Sequence, residues 1–248
     1  MAVSFMHSYR NPAHEKRAQE ILAEMFGTIP VTISSDVAPE IREFERTSTA
    51  CANAYVQPLM QSYLERLAVQ LRTAGHGGTL YIMLSGGGIT TVRDAQAYPI
   101  RLIESGPAAG AMAASYYSMI SEAENLISYD MGGTTAKMCL IDGGQPDRKH
   151  DFEAGRIRRF AKGSGLPLKV SVVDMIEIGA GGGSLAYVDQ MGLLKVGPQS
   201  AGSQPGPVCY GQGGVEPAVT DADLFLGYLN PDYFLGGEMS LDLGDVEK

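Results

Sequence analysis

A glycine-threonine turn between two strand-like segments constrains the fold of this chain more than any other feature. The stretch SYDMGGTTAKMCLID, residues 128–142, reads as strand, turn and strand. A Walker phosphate loop needs the pattern GxxxxGK[ST] between a strand and a helix, and this stretch has neither the spacing nor the helix. The sequence therefore predicts a β-hairpin with Gly132 and Gly133 at its turn. A helix that began directly after Thr135 would contradict this prediction.

The residues of this turn suit an anion, although by themselves they leave two interpretations open. Glycines allow backbone N–H groups to converge on a phosphate, and Thr134 and Thr135 add hydroxyl donors. Asp130, at the end of the first strand, could hold Mg²⁺ directly or through water, and Lys137 could face a phosphate. The alternative is a glycine hairpin with a polar turn that binds nothing.

A second glycine loop, GAGGGS at residues 179–184, joins two further strand-like segments. Its four glycines in five residues would leave almost no side chain between the backbone and a ligand, but a bulge or close packing between strands is the alternative. Two weaker candidates are LSGGG at residues 84–88 and ESGPAAG at residues 104–110. The latter would place N–H groups at the start of a helix, unless its glycines only serve helix packing. Together the four loops favour one shared crevice.

The remaining pattern alternates helices and strands, which predicts the α/β class. Asn11 and Pro12 predict the start of a first helix, and IPVTISSDV and MAVSFMHSY read as strands. A long helix should follow and end at Gly75, with Pro58 as a kink or restart. The chain is richer in glycine after Gly75, so a domain boundary is expected near residues 76–85.

Composition excludes several classes of function. The chain has 248 residues and a net charge of −9 without a basic run, which disfavours nucleic acid and anionic membrane surfaces as partners. Three scattered cysteines disfavour a disulfide framework or a structural zinc site and favour the reducing cytoplasm. No apolar run is long enough to predict a membrane span.

Other candidate residues have a structural interpretation that we prefer at this point. His7 and His14 flank a proline and favour a structural pair over metal ligands. The charged run EFERTST, residues 43–49, is typical of a solvated face, and Asp221 and Asp223 should cap the last helix. No Ser-His-Asp or Cys-His order is present, so the catalytic residues remain unknown.

Six segments resemble the hydantoinase A/5-oxoprolinase family, in the order in which that family has them. They run from residue 3 to about residue 237 and read SFMHSYRNPAHE, EIREFERTSTACANAYVQP, ESGPAAGAMAA, DMGGTTAK, IGAGGGSLAYVD and VGPQSAGSQPGPVCYGQGGVEPAVTDADLFLGYLNPDYFLGG. The family is ATP-dependent and includes N-methylhydantoinases, 5-oxoprolinases and subunits of acetone and acetophenone carboxylases. The resemblance implies a fold like that of actin, hexokinase and Hsp70 (ribonuclease H-like), in which hairpin loops grip nucleotide phosphates.

The resemblance implies an internal fragment of a longer protein, since the family usually begins with another hairpin, DxGGTFTD, and continues past this stop. Residues 1–78 would then be the end of the first half, and residues 79–248 would be most of the nucleotide-binding second half. We expect the isolated fragment to be inactive and to bind ATP weakly. The strand at Ala2–Met6 would lack neighbours and favour homo-oligomers.

The resemblance also implies a reaction and a set of site residues. ATP, with Mg²⁺, would phosphorylate the oxygen of a small cyclic amide or imide, and a hydantoinase B-type subunit would complete the substrate site. The alternatives are a subunit of a ketone carboxylase and a nucleotide-binding module with no activity of its own. The implied cofactor-binding residues are Asp130 (also the metal ligand), Gly132, Gly133, Thr134, Thr135, Lys137, Gly181, Gly182, Gly183 and Ser184.

Two positions depart from the pattern of the family. Many members read GGTSTD where this chain reads GGTTAK, so Lys137 replaces an acidic residue and a metal role is excluded there. LSGGG stands where many members have a serine-asparagine-glycine pattern, so no role of that asparagine transfers to this chain.

Overall fold

Helices and short strands are interspersed as far as Ser121, and ten strands then follow in succession among the described residues before the last helices. This mixture confirms the predicted α/β class. The computed structural model describes residues 1–157 and 163–247. The helices are α1 Ala13–Phe26, α2 Ser34–Val37, α3 Glu43–Thr73, α4 Val92–Ala97, α5 Ser105–Ser121, α6 Val219–Phe225 and α7 Leu243–Val246. Short 3₁₀ turns span Pro99–Leu102, Val208–Tyr210 and Leu235–Gly237.

The strands are short and form several small sheets. They are β1 Ala2–Val3, β2 Thr32–Ile33, β3 Tyr81–Met83, β4 Ile89–Thr91, β5 Leu126–Met131, β6 Ala136–Asp142, β7 Gln145–Pro146, β8 Arg148–Lys149, β9 Phe152–Ala154, β10 Leu166–Leu168, β11 Val172–Val173, β12 Ile176–Ile178, β13 Ser184–Val188 and β14 Leu194–Ser200. β1 pairs with β2 in parallel, and β12, β6 and β5 form one sheet in that order.

Two compact units make up the structure. The first unit is Met1–Leu126 with Leu140–Asp174, and the second is Ile127–Cys139 with Met175–Lys248. The division after residue 78 that the sequence predicts refers to the halves of a longer family member and stays a prediction. The units of the structure are divided elsewhere because residues 140–174 pair among themselves through β7 to β11 and pack with the first unit.

The buried carboxylate of Glu15 ends two strands that the sequence predicts to be longer. Its Oε1 accepts hydrogen bonds from Phe5 N and Ser34 Oγ, both at 2.7 Å, and its Oε2 accepts one from Ser35 N at 2.8 Å. These bonds satisfy polar groups that would otherwise pair with a neighbouring strand. β1 therefore stops at Val3, and IPVTISSDV turns into α2. Both strand predictions are therefore wrong beyond their first few residues.

Arg46 corrects the prediction that residues 43–49 form a solvated face, because it is 0% exposed. Its Nε donates to Ser34 Oγ at 3.0 Å, and its Nη2 donates to Phe5 O at 2.7 Å. Burial alone would raise the pKa of Glu15, but the hydrogen bonds from Ser34, Ser35 and Phe5 outweigh burial and lower it. Arg46 and Glu15 are thus buried as charged groups that share partners.

The helical predictions are closer to the structure. α3 continues through Pro58 and ends at Thr73, and Gly75 has a φ of +90°. α1 begins one residue later than predicted, with Pro12 as N-cap, although Asn11 Oδ1 still accepts from Ala13 N at 3.1 Å. In ESGPAAG the helix already begins at Ser105, so its glycines lie within α5 rather than in a loop before it.

Each unit has its own small core. Val37, Ile100, Leu168, Val170 and Val172 form a buried cluster in the first unit. A second cluster, in the second unit, consists of Cys209, Leu224 and Leu241. Within the described residues, no helix is both long and apolar enough to cross a bilayer.

Candidate functional site

The predicted hairpin is confirmed. β5 and β6 are neighbours in their sheet, and the four residues between them form a turn in which Gly132 N donates to Thr135 O at 2.9 Å. A strand, not a helix, follows Thr135, which excludes Walker-type architecture. β12 pairs with β6 in antiparallel register, with Glu177 opposite Lys137, so the hairpin has a strand on the other side of β6.

The tip of this turn leaves two adjacent N–H donors available. Gly132, Gly133 and Thr134 are exposed. In the part of the chain that the structure describes, the N–H groups of Gly133 and Thr134 donate to no backbone or side-chain acceptor. A Cβ added at Gly133 would meet nothing within 4 Å. Consecutive free N–H groups on an exposed turn are the geometry that binds an anion.

The second glycine loop lies directly against the hairpin turn, whereas the sequence predicts only that both loops open on one crevice. Gly182 N donates to Gly132 O at 2.9 Å, and Gly183 N donates to Gly133 O at 2.8 Å. Both loops belong to the second unit. The carbonyl groups of Gly132 and Gly133 therefore point to the second loop, and these two hydrogen bonds hold the turn in place.

The family resemblance implies that residues 181–184 bind the nucleotide, and in the structure all four of their N–H groups have protein acceptors. Besides the two bonds to the turn, Gly181 N donates to Ser184 Oγ and Ser184 N donates to Gly181 O, both at 2.9 Å. Gly181, Gly183 and Ser184 are also buried. The close fit of the two loops uses these donors, so a contact of residues 181–184 with a nucleotide would have to involve other atoms, and it stays a prediction.

That close fit explains why the second loop consists of glycine. A Cβ on Gly181 would lie 2.5 Å from Gly132 O and 2.6 Å from Thr134 N. At Gly182 a Cβ would lie 2.8 Å from Thr220 Oγ1. Atoms at such distances leave no room for a side chain, so Gly181 allows one backbone to pack against another, and Gly182 makes room for the hydroxyl group of Thr220.

Thr220, at the start of α6, is a functional candidate that the sequence reasoning missed. Its N and its Oγ1 both donate to Gly182 O at 2.8 Å. Thr220 thereby fixes the loop that holds the hairpin. In the sequence, the one indication of this role is the position of Thr220 directly before Asp221 in the segment TDADL.

Asp221 caps α6 as predicted, but from the third helical position, where its carboxylate accepts from the N–H of the N-cap residue. The N-cap of α6 is Ala218, and Asp221 lies in the first turn. Its carboxylate accepts from Ala218 N and Cys209 N, both at 2.8 Å, and from Val208 N at 3.2 Å. Burial, together with the neighbouring carboxylate of Asp221, raises the pKa of Cys209 to about 12. Asp223 follows within α6, beyond any capping position.

Asp130 and Lys137 lie on the two strands of the hairpin. Asp130 is exposed near the end of β5, and Lys137 Nζ lies 4.0 Å from Glu177 Oε1 with 14% of its side chain exposed. Among the described residues, no three His, Cys, Asp or Glu side chains form a group that could hold a metal ion. His7 instead lies 4.0 Å from Glu43, with its ring next to Tyr9.

The two weaker glycine stretches belong to the first unit. Only LSGGG shows close packing, since a Cβ added at Gly106 or Gly110 of ESGPAAG would meet nothing within 4 Å. Gly87 has a φ of +83°, and a Cβ there would lie 2.7 Å from Met112 Sδ. A Cβ at Gly86 would lie 3.2 Å from Ser171 Oγ. The crevice that the sequence predicts for all four loops therefore stays a prediction for these two.

Comparison with known proteins relates this arrangement to one group of enzymes. The hydantoinase/oxoprolinase family model matches residues 46–248. Caprolactamase subunit alpha of Pseudomonas jessenii is 39% identical over 242 residues, which cover 98% of this chain and 34% of that protein. The acetophenone carboxylase gamma subunit of Aromatoleum aromaticum is 39% identical over 254 residues, or 100% of this chain and 33% of that subunit.

A solved structure is also similar to this chain over almost its whole length. The crystal structure of the ATP-dependent caprolactamase from Pseudomonas jessenii matches with a TM-score of 0.74 and 37% identity, over 99% of this chain and 35% of that chain. This chain thus spans about a third of the length of the caprolactamase and acetophenone carboxylase subunits.

Proposed function

The chain belongs to the hydantoinase/oxoprolinase family, and from this premise we propose that it is part of an ATP-dependent enzyme that opens a small cyclic amide or imide. One observation carries the proposal: an exposed glycine-threonine turn presents two free N–H groups and is held in place by a second glycine loop. We further propose the actin/hexokinase-like fold, in which hairpin turns of this kind hold nucleotide phosphates.

The turn fits a phosphate group. Gly133 and Thr134 would donate their N–H groups to it, and the hydroxyl groups of Thr134 and Thr135 would add two further donors. Hydrogen bonds to a charged acceptor are stronger than those between neutral groups. In this proposal residues 181–184 contact no phosphate; they keep the turn in the conformation that binds it.

The same end of the hairpin fits a metal ion bound mainly by phosphates. Asp130 would supply a carboxylate to Mg²⁺, directly or through water, and phosphates and water would complete the octahedron, as is usual for this ion. Lys137 would contribute positive charge near the phosphates while Glu177 holds its ammonium group.

Bound ATP would supply a phosphoryl group to the amide oxygen, which makes the ring carbon electrophilic and turns a poor leaving group into a good one. The share of this chain is to orient the phosphates and to stabilise their charge, which are the main protein contributions to phosphoryl transfer. A hydantoinase B-type subunit would complete the substrate site, and the cytoplasm is the compartment that we propose.

A ketone carboxylase subunit is the second candidate, because the acetophenone carboxylase subunit is as similar to this chain as the caprolactamase subunit, at 39% identity each. There the phosphorylated oxygen would be that of an enol. A turnover assay on the full-length protein with its partner subunit separates the two reactions: ATP hydrolysis that depends on a lactam or hydantoin supports the first, and dependence on a ketone with bicarbonate supports the second. ATP binding without either turnover would favour a nucleotide-binding module.

The binding site itself is tested by NMR of the ¹⁵N-labelled chain titrated with Mg-ATP to millimolar concentration. We expect the amide signals of Gly133 and Thr134 to shift most, since their N–H groups are free. The signals of Gly182 and Gly183 should shift less, because their N–H groups already have acceptors. Shifts that avoid the hairpin altogether would reject this site, even if ATP binds elsewhere.

A further inference from the structure

A separate cavity in the first unit has a lining that the function proposed above does not use. Its volume is about 360 Å³, within the usual range for small-molecule sites. The glycine stretch LSGGG forms part of its wall through Gly86 and Gly88. We call it the Arg101 cavity, and its lining residues are Val37, Ala38, Pro39, Glu40, Leu84, Gly86, Gly88, Arg101, His150, Lys169, Val170 and Ser171.

Arg101 is held rigidly but has donors to spare. Its guanidinium lies over the ring of Tyr98, at 4.5 Å from the ring centroid. Its Nη2 donates to the carbonyl groups of Asp36 and Val37, both at 3.2 Å. Within the described residues, Nε and Nη1 have no acceptor, and no carboxylate lies within ion-pair distance of this side chain. A fixed guanidinium with a free edge suits a carboxylate, which it binds with two parallel bonds.

Lys169 adds a second fixed cation to the lining. Its Nζ lies 2.6 Å from Asp151 Oδ1 and 3.6 Å from Glu40 Oε2. The hydrogen bond from Lys169 to Asp151 raises the pKa of Lys169 in spite of burial, so the side chain stays charged. Its backbone N donates to Thr49 Oγ1 at 2.8 Å, which fixes the strand end that carries it.

The two cations of the lining differ in how their charges are balanced. Lys169 pairs with Glu40 and Asp151, so its charge is balanced, whereas Arg101 keeps an unpaired positive charge in the lining. The rest of the wall includes the apolar side chains of Val37, Leu84 and Val170. An anion with a small apolar body matches such a mixture of charge and apolar surface.

We propose that the Arg101 cavity binds a small organic monocarboxylate, with its carboxylate on the free edge of the Arg101 guanidinium and its apolar part against Val37, Leu84 and Val170. The site lies wholly in the first unit. It shares no residue with the phosphate contacts assigned to the hairpin, so either proposal can fail without the other.

A matched pair of ligands tests the charge requirement. Cyclopentanecarboxylate and cyclopentanecarboxamide have nearly the same shape and differ in charge, and each is titrated into the chain with NMR detection. We expect the carboxylate to bind at least tenfold more tightly, with the largest shifts at Gly86, Gly88 and Ser171. Equal binding of the two compounds, binding of neither, or shifts outside the cavity would overturn the proposal.

A pair of variants tests the role of Arg101. Arg101→Gln should weaken binding of cyclopentanecarboxylate at least tenfold, and Arg101→Lys should give a smaller loss because it keeps charge without the planar fork. Arg93→Gln makes the same change at an exposed arginine in α4 and should leave affinity unchanged. If thermal unfolding shows that Arg101→Gln does not fold, Arg101→Lys decides. Unchanged affinity in the folded Arg101 variant, or an equal loss in Arg93→Gln, would refute the proposal.

Discussion

The two glycine loops of the second unit have similar compositions and opposite surroundings. The hairpin turn at residues 132–135 is exposed and keeps the N–H groups of Gly133 and Thr134 free. The loop at residues 181–184 is largely buried and uses all of its N–H groups on protein acceptors. Glycine therefore has two different roles here. In the turn it gives a ligand access to the backbone, and in the supporting loop it removes the Cβ that would separate two backbones.

The same substitution in each loop should give the largest contrast. Gly181→Ala would place a Cβ 2.5 Å from Gly132 O, so we expect a loss of about 1–3 kcal/mol in the free energy of unfolding. Gly133→Ala meets open space and should change that free energy by less than about 0.5 kcal/mol. Neither glycine has a positive φ, so backbone strain does not confuse the comparison. Urea denaturation followed by circular dichroism is the measurement, and equal midpoints for both variants would contradict our distinction.

Removal of a hydroxyl from the turn should affect binding rather than folding. Thr134→Ala deletes an exposed donor, so stability should change by less than about 0.5 kcal/mol. Affinity for Mg-ATP should fall roughly tenfold, which corresponds to the loss of about 1.4 kcal/mol from a hydrogen bond to a charged group. NMR titration of the variant and the wild type measures both affinities. Thr134→Ser keeps the donor and serves as the control; if it loses as much affinity as Thr134→Ala, the hydroxyl is not the cause.

Removal of the Thr220 hydroxyl group, which holds the loop at residues 181–184, should affect folding rather than binding. Thr220→Val deletes the donor to Gly182 O, so we expect the free energy of unfolding to fall by about 1 kcal/mol. Thr220→Ser retains the hydroxyl and should recover most of that loss. Urea denaturation checks both variants. A Thr220→Val variant as stable as wild type would show that the backbone N of Thr220 is enough to hold the loop.

The smallest expected effect concerns the thiol group of Cys209, which lies beside Asp221. Because burial raises the pKa of Cys209 to about 12, roughly one thiol in 10⁴ is ionised at pH 8. We expect Ellman's reagent at pH 8 to label the exposed Cys51 quickly and Cys209 almost not at all. As pH rises above 9.0, the unfolded thiol ionises before the folded one, so the stability contributed by Cys209 falls between that pH and about 12. Equal labelling of both cysteines would mean that the region around Cys209 opens to solvent.

Short-range patterns predicted the elements of the site well. The alternation around a glycine-threonine turn predicted the hairpin, and Gly75 marked the region where α3 ends. The predictions failed where a distant partner decides. Nothing near Ser34 in the sequence shows that Glu15 will accept its hydroxyl group, and nothing near Arg46 shows that Phe5 O will accept from it. Both corrections concern polar groups whose burial depends on elements many residues away.

The sequence by itself determined the α/β class, the hairpin and the family to which the chain belongs, because local periodicity, turn residues and motif order are all written along the chain. Only the tertiary structure decided which glycine loop offers free donors and which one supports the other. It alone identified Thr220 as the residue that fixes the support. The physical reason is that a backbone N–H is identical in every loop; its availability depends on the acceptor that folding brings to it, and here the acceptors of Gly182 and Gly183 lie about 50 residues away in the hairpin turn.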